Sequence, residues 1–311
     1  MNLSQRQLQM FVTTASLMNV SRASQALHIS QPALSRALQE LESQLGVKLL
    51  LRTTRQLTLT HEGSQFLPVA QRLLRDLQQA ASDLREQATG LTGSVTLAVG
   101  TAFGCTVLPG ILRSFSLSHP GVRLRVIDDN SAGITECVIR AEADFGIGSL
   151  FGDISAMACQ LLLTAPLGLL GDPARFDLVA AVKTGDLTQL PLLKEPTDSS
   201  IMQVLQSRGS ALVPQMGKGA EVSSLALQLA LAQAGVGVAV VSALGASHPQ
   251  ASGLLFVPLK PAMEREVFMM QRRDRELNPS ARAFANALRT GLTQATLLPS
   301  IKLATTVDQT L

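Results

Sequence analysis

Apolar residues at Leu8, Phe11, Val12 and Ala15 recur at i, i+3, i+4 and i+7, the stripe of an amphipathic helix over about Ser4 to Met18. Asn19 and Val20 interrupt the stripe, and Ser21 is placed to cap a short helix through Leu27. After a turn at His28-Ile29, Ser30 can cap a third helix with Pro32 in its first turn, where a missing N–H costs little. In that helix Leu34, Leu38, Leu41 and Leu45 step by four, three and four along the inner face. Gln31, Ser35 and Gln39 step by four along another face, with Arg36 beside them. Gly46 suits a left-handed helix stop. Residues 48–60 then predict two short strands around Thr53-Thr54-Arg55, with Leu57 and Leu59 alternating with Thr58 and Thr60.

From His61 to about Thr89 the period is helical again. Phe66, Ala70, Leu73, Leu77, Ala80 and Leu84 alternate spacings of four and three, a seam that favours pairing with a second helix. Pro68 is expected to kink or weaken its first turns. A hinge, Thr89-Gly90-Leu91-Thr92-Gly93, leads into alternating strands and helices, which predict a parallel sheet with crossover helices. Strands are expected near 94–100, 122–127, 144–148, 238–241, 254–259 and 266–271. Helices are expected from the first of these to about Ser118, then near 135–141, 199–208, 222–234 and 279–292. The resulting division is a reader at 1–61, a linker helix and hinge at 62–92, and a two-lobed α/β body at 93–294. One lobe takes about 93–164 and 266–294, the other about 165–265. Residues 295–311 have no clear period and are expected to be a loosely held tail.

Composition narrows the function. The chain has 311 residues, 46% hydrophobic and 16% charged, which excludes a disordered chain. Ten Phe with no Trp or Tyr leave few rings for stacking single-stranded bases. The net charge is +3, yet residues 1–60 hold six basic side chains against Glu40 and Glu42, so that segment carries +4 and the remainder −1. A basic segment joined to a neutral body suggests a nucleic-acid reader with an attached second function. The three cysteines lack CxxC spacing, which fits a reducing compartment; Cys105 is expected to be a small buried residue. The first residues contain no apolar leader, so a cytoplasmic location is expected. Residues 222–259 carry no Lys, Arg, Asp or Glu, but Gln228, Gln233, Gly235 and Gly237 break that run, so no membrane span is expected.

Two helices joined by a tight turn, the second presenting polar side chains, suit the DNA major groove. Gln31 can pair with adenine and Arg36 with guanine; Pro32 can touch a thymine methyl; Ser35, Arg52 and Arg55 can hold phosphates. The run Ala23-Ser24-Gln25-Ala26-Leu27-His28-Ile29-Ser30-Gln31-Pro32-Ala33-Leu34-Ser35-Arg36 resembles the signature of LysR-type bacterial transcription regulators. The resemblance continues through Leu41-Glu42, Leu45-Gly46, Arg52, Arg55 and Leu59-Thr60-His61-Glu62-Gly63. The family usually has an aromatic and then a polar residue before the ribbon arginine, where this chain has Leu50-Leu51-Arg52. The resemblance implies an α/β protein: a winged helix-turn-helix, a long linker helix and an effector-binding domain similar to periplasmic solute-binding proteins. It also implies double-stranded promoter DNA as partner, paired linker helices, a dimer of dimers, and RNA polymerase as a candidate partner.

In α/β lobes ligands sit beyond the carboxyl ends of strands. Thr101 and Phe103 after the first strand, Asn130 and Ser131 after the second, and Thr197 and Ser199 in the other lobe are the candidate effector contacts. Their hydroxyls and free N–H groups suit a carboxylate on a small-molecule effector, with Asp198 opposing a purely anionic one. No cofactor or metal is expected: GxGxxG, GxxxxGK[ST] and HExxH are absent, and His28, His61, His119 and His248 form no cluster of catalytic spacing.

Overall fold

The computed structural model describes residues 3–52, 57–89, 92–184, 187–197, 199–208, 212–216 and 220–304. They form two compact units, Met1–Ala88 and Thr89–Leu311.

The first unit opens with α1 (Gln5–Leu17), capped by Ser4 in a reciprocal box with Gln7. The second helix, α2 (Val20–Ala26), begins earlier than expected. Asn19 rather than Ser21 caps it, its side-chain oxygen accepting from Arg22 N at 2.9 Å. Ser30 caps α3 (Gln31–Leu45), Pro32 occupies its first turn, and Gly46 ends it at φ +72°. Leu8, Phe11, Ala15, Leu34, Leu38 and Leu41 are buried together, so the core uses the periodic face of each helix. Leu45 is only partly buried at the edge.

The ribbon is β1 (Leu50–Arg52) paired antiparallel with β2 (Leu57–Leu59), Leu50 opposite Leu59. Its tip, including Arg55, lies outside the described residues. Next comes α4 (His61–Thr89), a single helix with Pro68 inside it. The expected seam divides. Phe66, Leu67, Ala70 and Leu74 pack on the first unit's core, whereas Val69, Leu73 and Leu77 are exposed. The side chains of Ala80 and Leu84 lie outside the described residues.

The second unit begins with β3 (Gly93–Val99). A single helix is expected after it; the structure has two, α5 (Thr101–Thr106) and α6 (Leu108–Ser118), with Pro109 in the first turn of the latter. Then follow β4 (Val122–Asp128), α7 (Ser131–Ile139) and β5 (Phe145–Gly148). A 15-residue strand, β6 (Met157–Gly171), is not among the expected elements and organises the rest. The second lobe holds α8 (Leu178–Thr184), α9 (Ser200–Ser207), α10 (Leu212–Met216), α11 (Leu225–Gln233), β7 (Ala239–Ser242), α12 (Ala243–Ala246) and β8 (Leu255–Pro258). The chain returns through β9 (Glu264–Arg272) to α13 (Pro279–Gln294) and β10 (Lys302–Leu303).

The main sheet has the order β10-β6-β9-β5-β3-β4. Only part of it is parallel: β3 pairs parallel with β4 and β5, whereas β9 runs antiparallel to β5 and β6. The parallel pairing expected from the alternation over residues 94–148 is present in β3, β4 and β5, and the strands added from the later chain make the sheet mixed. The first half of β6 pairs with β9, and from Leu167 onward it pairs with β7 and β8. Pro166, opposite Glu264, marks the changeover, where a residue without an N–H is tolerated.

Phe103, Phe115, Phe145 and Phe284 fill the core on one face of the main sheet, with Phe115 and Phe284 edge to face at 4.9 Å. The second lobe has its own cores around Leu169, Leu205 and Val240, and around Leu229 and Val241. Residues 295–304 are not a loose tail: Leu297, Leu298 and Ile301 pack on the first-lobe core and β10 adds an edge strand to β6. Among the described residues no helix is long and apolar enough to cross a membrane.

Candidate functional site

In α3 the leucines face inward, which turns the other edge outward. Gln31, Pro32, Arg36 and Gln39 are exposed and Ser35 is half-buried. The Gln31 amide donates to Ser21 Oγ at 2.9 Å, fixing the start of α3 against α2. Arg36 Nε donates to Glu40 at 3.1 Å, and its side chain stays 83% exposed. An exposed pair of this kind is weak, so the guanidinium is readily given up to another acceptor. Arg52 lies on β1, its side chain outside the described residues like all of Arg55. Leu51, the departure from the usual ribbon pattern, is 52% exposed beside it.

The ribbon is fastened to α3 by a residue that the sequence pattern does not single out for a role. Glu42 is buried; its Oε1 accepts from Leu49 N at 3.0 Å and Leu50 N at 3.1 Å, and Oε2 from Lys48 Nζ at 2.7 Å. Burial alone would raise its pKa, but the hydrogen bonds from Lys48, Leu49 and Leu50 outweigh it and hold the carboxyl below its ordinary range.

In the second unit the expected ligand contacts fare differently. Thr101 opens α5 and donates its hydroxyl proton to Asp128 Oδ1 at 2.8 Å. Phe103 is 2% exposed in the first-lobe core, so it does not cover a ligand; the core claims it. Asn130 caps α7 by accepting from Gly133 N at 3.0 Å, and Ser131 is buried at the helix start. Thr197 is exposed in a turn, and its neighbour Asp198 lies outside the described residues. Ser199 caps α9, accepting from Met202 N at 3.0 Å, and also donates to the Glu195 carboxylate.

Around Thr101 and Ser199 the fold gathers groups far apart in sequence. Glu195 is buried in the second lobe and accepts from the Gln228 amide, which also donates to Val222 O at 3.0 Å. Burial raises the Glu195 pKa, opposed by the Gln228 and Ser199 hydrogen bonds and by the charge of Arg265. Arg265 stands on β9 where that strand crosses between lobes. Its Nε donates to Ser149 Oγ at 3.0 Å, and Nη2 lies 3.9 Å from where a Cβ on Gly100 would stand. Burial lowers its pKa and Glu195 raises it. No hydrogen bond among the described residues joins Asn130, Ser131 or Thr197 to this cluster. Sequence reasoning misses Asp128, Ser149, Glu195, Gln228 and Arg265. One signal is visible: Gln228 stands in the middle of the apolar run Leu225–Ala232, and a buried glutamine there needs a polar partner.

Cys105, expected to be buried, is exposed. Desolvation and then the charge of Asp128 push its pKa up, which disfavours the reactive thiolate. Among the described residues no group of three or more His, Cys, Asp and Glu could hold a metal ion.

Residues 5–64 match the model of the bacterial regulatory helix-turn-helix protein, lysR family, and residues 88–293 match the LysR substrate binding domain. The chain belongs to the LysR family. This LysR-type chain is 27% identical over 293 residues to the HTH-type transcriptional regulator YfeR of Shigella flexneri, covering 93% of this chain and 94% of that protein. Among solved structures, a full-length OxyR variant from Pseudomonas aeruginosa is similar with a TM-score of 0.67 and 21% identity, over 97% of this chain and 98% of that one. Full-length CbnR complexed with its target DNA is similar with a TM-score of 0.65 and 22% identity, over 93% of this chain and 100% of that one. At such identities these two likenesses establish the fold. The LysR-type chain is thus a transcriptional regulator with an N-terminal DNA-binding unit and a C-terminal effector-binding domain.

Proposed function

We propose that α3 enters the major groove of promoter DNA, with Gln31 and Arg36 reading base edges. Pro32 contacts a thymine methyl, and Ser35, Arg52 and Arg55 hold the backbone. The observation that carries this reading is the two-faced α3: Leu34, Leu38 and Leu41 are buried while Gln31 and Arg36 stand free of the core. Arg36→Ala is expected to weaken operator binding by about 1–3 kcal/mol and to relax preference at one base position. A gel-shift titration against operator and scrambled duplexes measures both, and operator affinity equal to wild type would remove Arg36 from base recognition.

A small molecule at the junction of the two lobes favours one arrangement of the assembled protein over another, and so alters how paired readers hold and bend the promoter. That requires the ligand to bind the two arrangements with different affinity. The protein acts as a cytoplasmic homo-oligomer, a dimer of dimers that engages RNA polymerase, and not as an enzyme. The exposed row of Val69, Leu73 and Leu77 on α4 supports pairing of these helices. Burying one leucine contributes about 1.5–3 kcal/mol. Leu73→Gln with Leu77→Gln is therefore expected to weaken self-association at least tenfold in sedimentation equilibrium, with helical content unchanged. Association at wild-type strength would place the dimer contact elsewhere.

A further inference from the structure

We propose that the molecule recognised at the lobe junction is a carboxylate that also carries an amino group. Its carboxylate lies on the terminal nitrogens of Arg265, and its ammonium against Asp128 and the Thr101 oxygen. This rests on the reading above that the junction is the effector site.

The hydroxyl protons of the junction are already committed. Thr101 has one, and it is donated to Asp128. Ser199 accepts from Met202 N and donates its only proton to Glu195. Neither hydroxyl can donate to an incoming carboxylate without breaking a bond to an existing one. The expectation that both hydroxyls welcome an anion is therefore reversed: towards a ligand Thr101 can only accept, beside a carboxylate. A group that satisfies both is a donor with positive charge.

The cation of the cluster behaves in the opposite way. Arg265 is oriented through Nε by Ser149, whose own hydroxyl donates to Glu266 O at 2.7 Å. Its Nη1 and Nη2 have no hydrogen-bond acceptor among the described residues, and Nη2 stands next to Gly100, the residue before Thr101. The fork of a guanidinium suits two carboxylate oxygens. The charge of Glu195 in the second lobe favours the charged form of Arg265. A simple carboxylate would satisfy Arg265 and be repelled by Asp128; a simple amine would do the reverse. A molecule with both charges pairs the buried guanidinium of Arg265 and meets the exposed carboxylate of Asp128 with a cation.

The test is isothermal titration of the full-length protein with the proteinogenic amino acids, β-alanine and 4-aminobutyrate. Each is paired with the acid lacking its amino group and the amine lacking its carboxylate. At least one amino acid is expected to bind, with both matched partners at least tenfold weaker. Asp128→Asn keeps an acceptor for Thr101 but removes the charge, and should reduce the preference for the amino acid over its matched acid at least tenfold. Arg265→Gln should weaken the amino acid at least tenfold. Failure of every amino acid to bind, or equal binding of an amine-free acid, overturns the proposal. Binding of an amine-free acid that Arg265→Gln abolishes and Asp128→Asn leaves alone overturns the amino-acid class while the junction remains the ligand site. Amino-acid binding untouched by either substitution overturns the junction itself.

Discussion

Gly63→Ala is expected to destabilise the N-terminal unit by about 3 kcal/mol, the upper end of what overpacking a tight core costs. An added Cβ would stand 2.0 Å from the Leu49 carbonyl oxygen, 2.9 Å from its carbon and 3.1 Å from Leu59 Cδ2. The nearest obstacle is backbone, and that backbone is held from several directions. Leu49 O accepts from Thr60 N at 3.0 Å, and Leu49 N donates to Glu42. Thr60 Oγ1 donates to Lys48 O at 2.6 Å and accepts from Gly63 N at 2.8 Å, so the start of α4 is tied to the same strand. Relief therefore means displacing α4 or the ribbon rather than turning a side chain. At about 4–8 °C per kcal/mol for a domain of this size, the thermal transition of this unit should fall by well over 10 °C. Circular dichroism melting of the full chain reads it as the first of two transitions, since two units need not unfold together. A first transition at the wild-type temperature would mean that α4 and the ribbon do not approach as closely as described.

That close approach explains why Gly63 belongs to the motif that exposed the family, and it shows which parts of the fold local pattern can reveal. The three helices of the first unit are legible because each has one buried stripe and a local stop, Ser30 at the start of α3 and Gly46 at its end. The cap of α2 is not, because Asn19 and Ser21 are both good caps and only tertiary packing decides between them. The long strand β6 is hidden for the opposite reason. Buried on both faces over Leu167–Gly171, it shows no alternation to read, and Pro166 in its middle looks like a break. The α4 seam is a true apolar pattern, but sequence cannot tell that Ala70 faces its own core while Leu73 and Leu77 do not. The ligand cluster is the least legible. Thr101, Asp128, Glu195, Gln228 and Arg265 sit on five separate segments, and no local spacing links them. Helix starts draw attention to Thr101 and Ser199, but which charges those hydroxyls serve becomes visible only with the fold.

Glu42 fastens the same corner of the first unit through a carboxylate rather than through close packing. Glu42→Ala strands the N–H groups of Leu49 and Leu50, which are 1% and 6% exposed and have the Glu42 carboxylate as their acceptor. Leaving a buried donor unsatisfied costs about 1–3 kcal/mol, so the two together should cost about 2–5 kcal/mol. Glu42→Gln retains the oxygen that accepts both and loses mainly the pairing with Lys48, whose side chain is 69% exposed, a loss of about 1 kcal/mol. The ordering Ala worse than Gln separates a role as acceptor from a role as charge. Acid provides a second handle. Because the folded-state pKa of Glu42 lies below its ordinary value, its contribution is fully present above the ordinary carboxylate range. It is lost as pH falls through the lowered folded value. Wild type should thus lose more stability than Glu42→Ala between neutral pH and about pH 3, and the two melting curves should converge in acid. Parallel loss of stability in both proteins would show that the carboxylate contributes nothing. The consequence reaches DNA, since Glu42 fastens the ribbon carrying Arg52 to the helix carrying Arg36. Loosening it should weaken binding to every duplex alike, in contrast to Arg36→Ala, which discriminates between them.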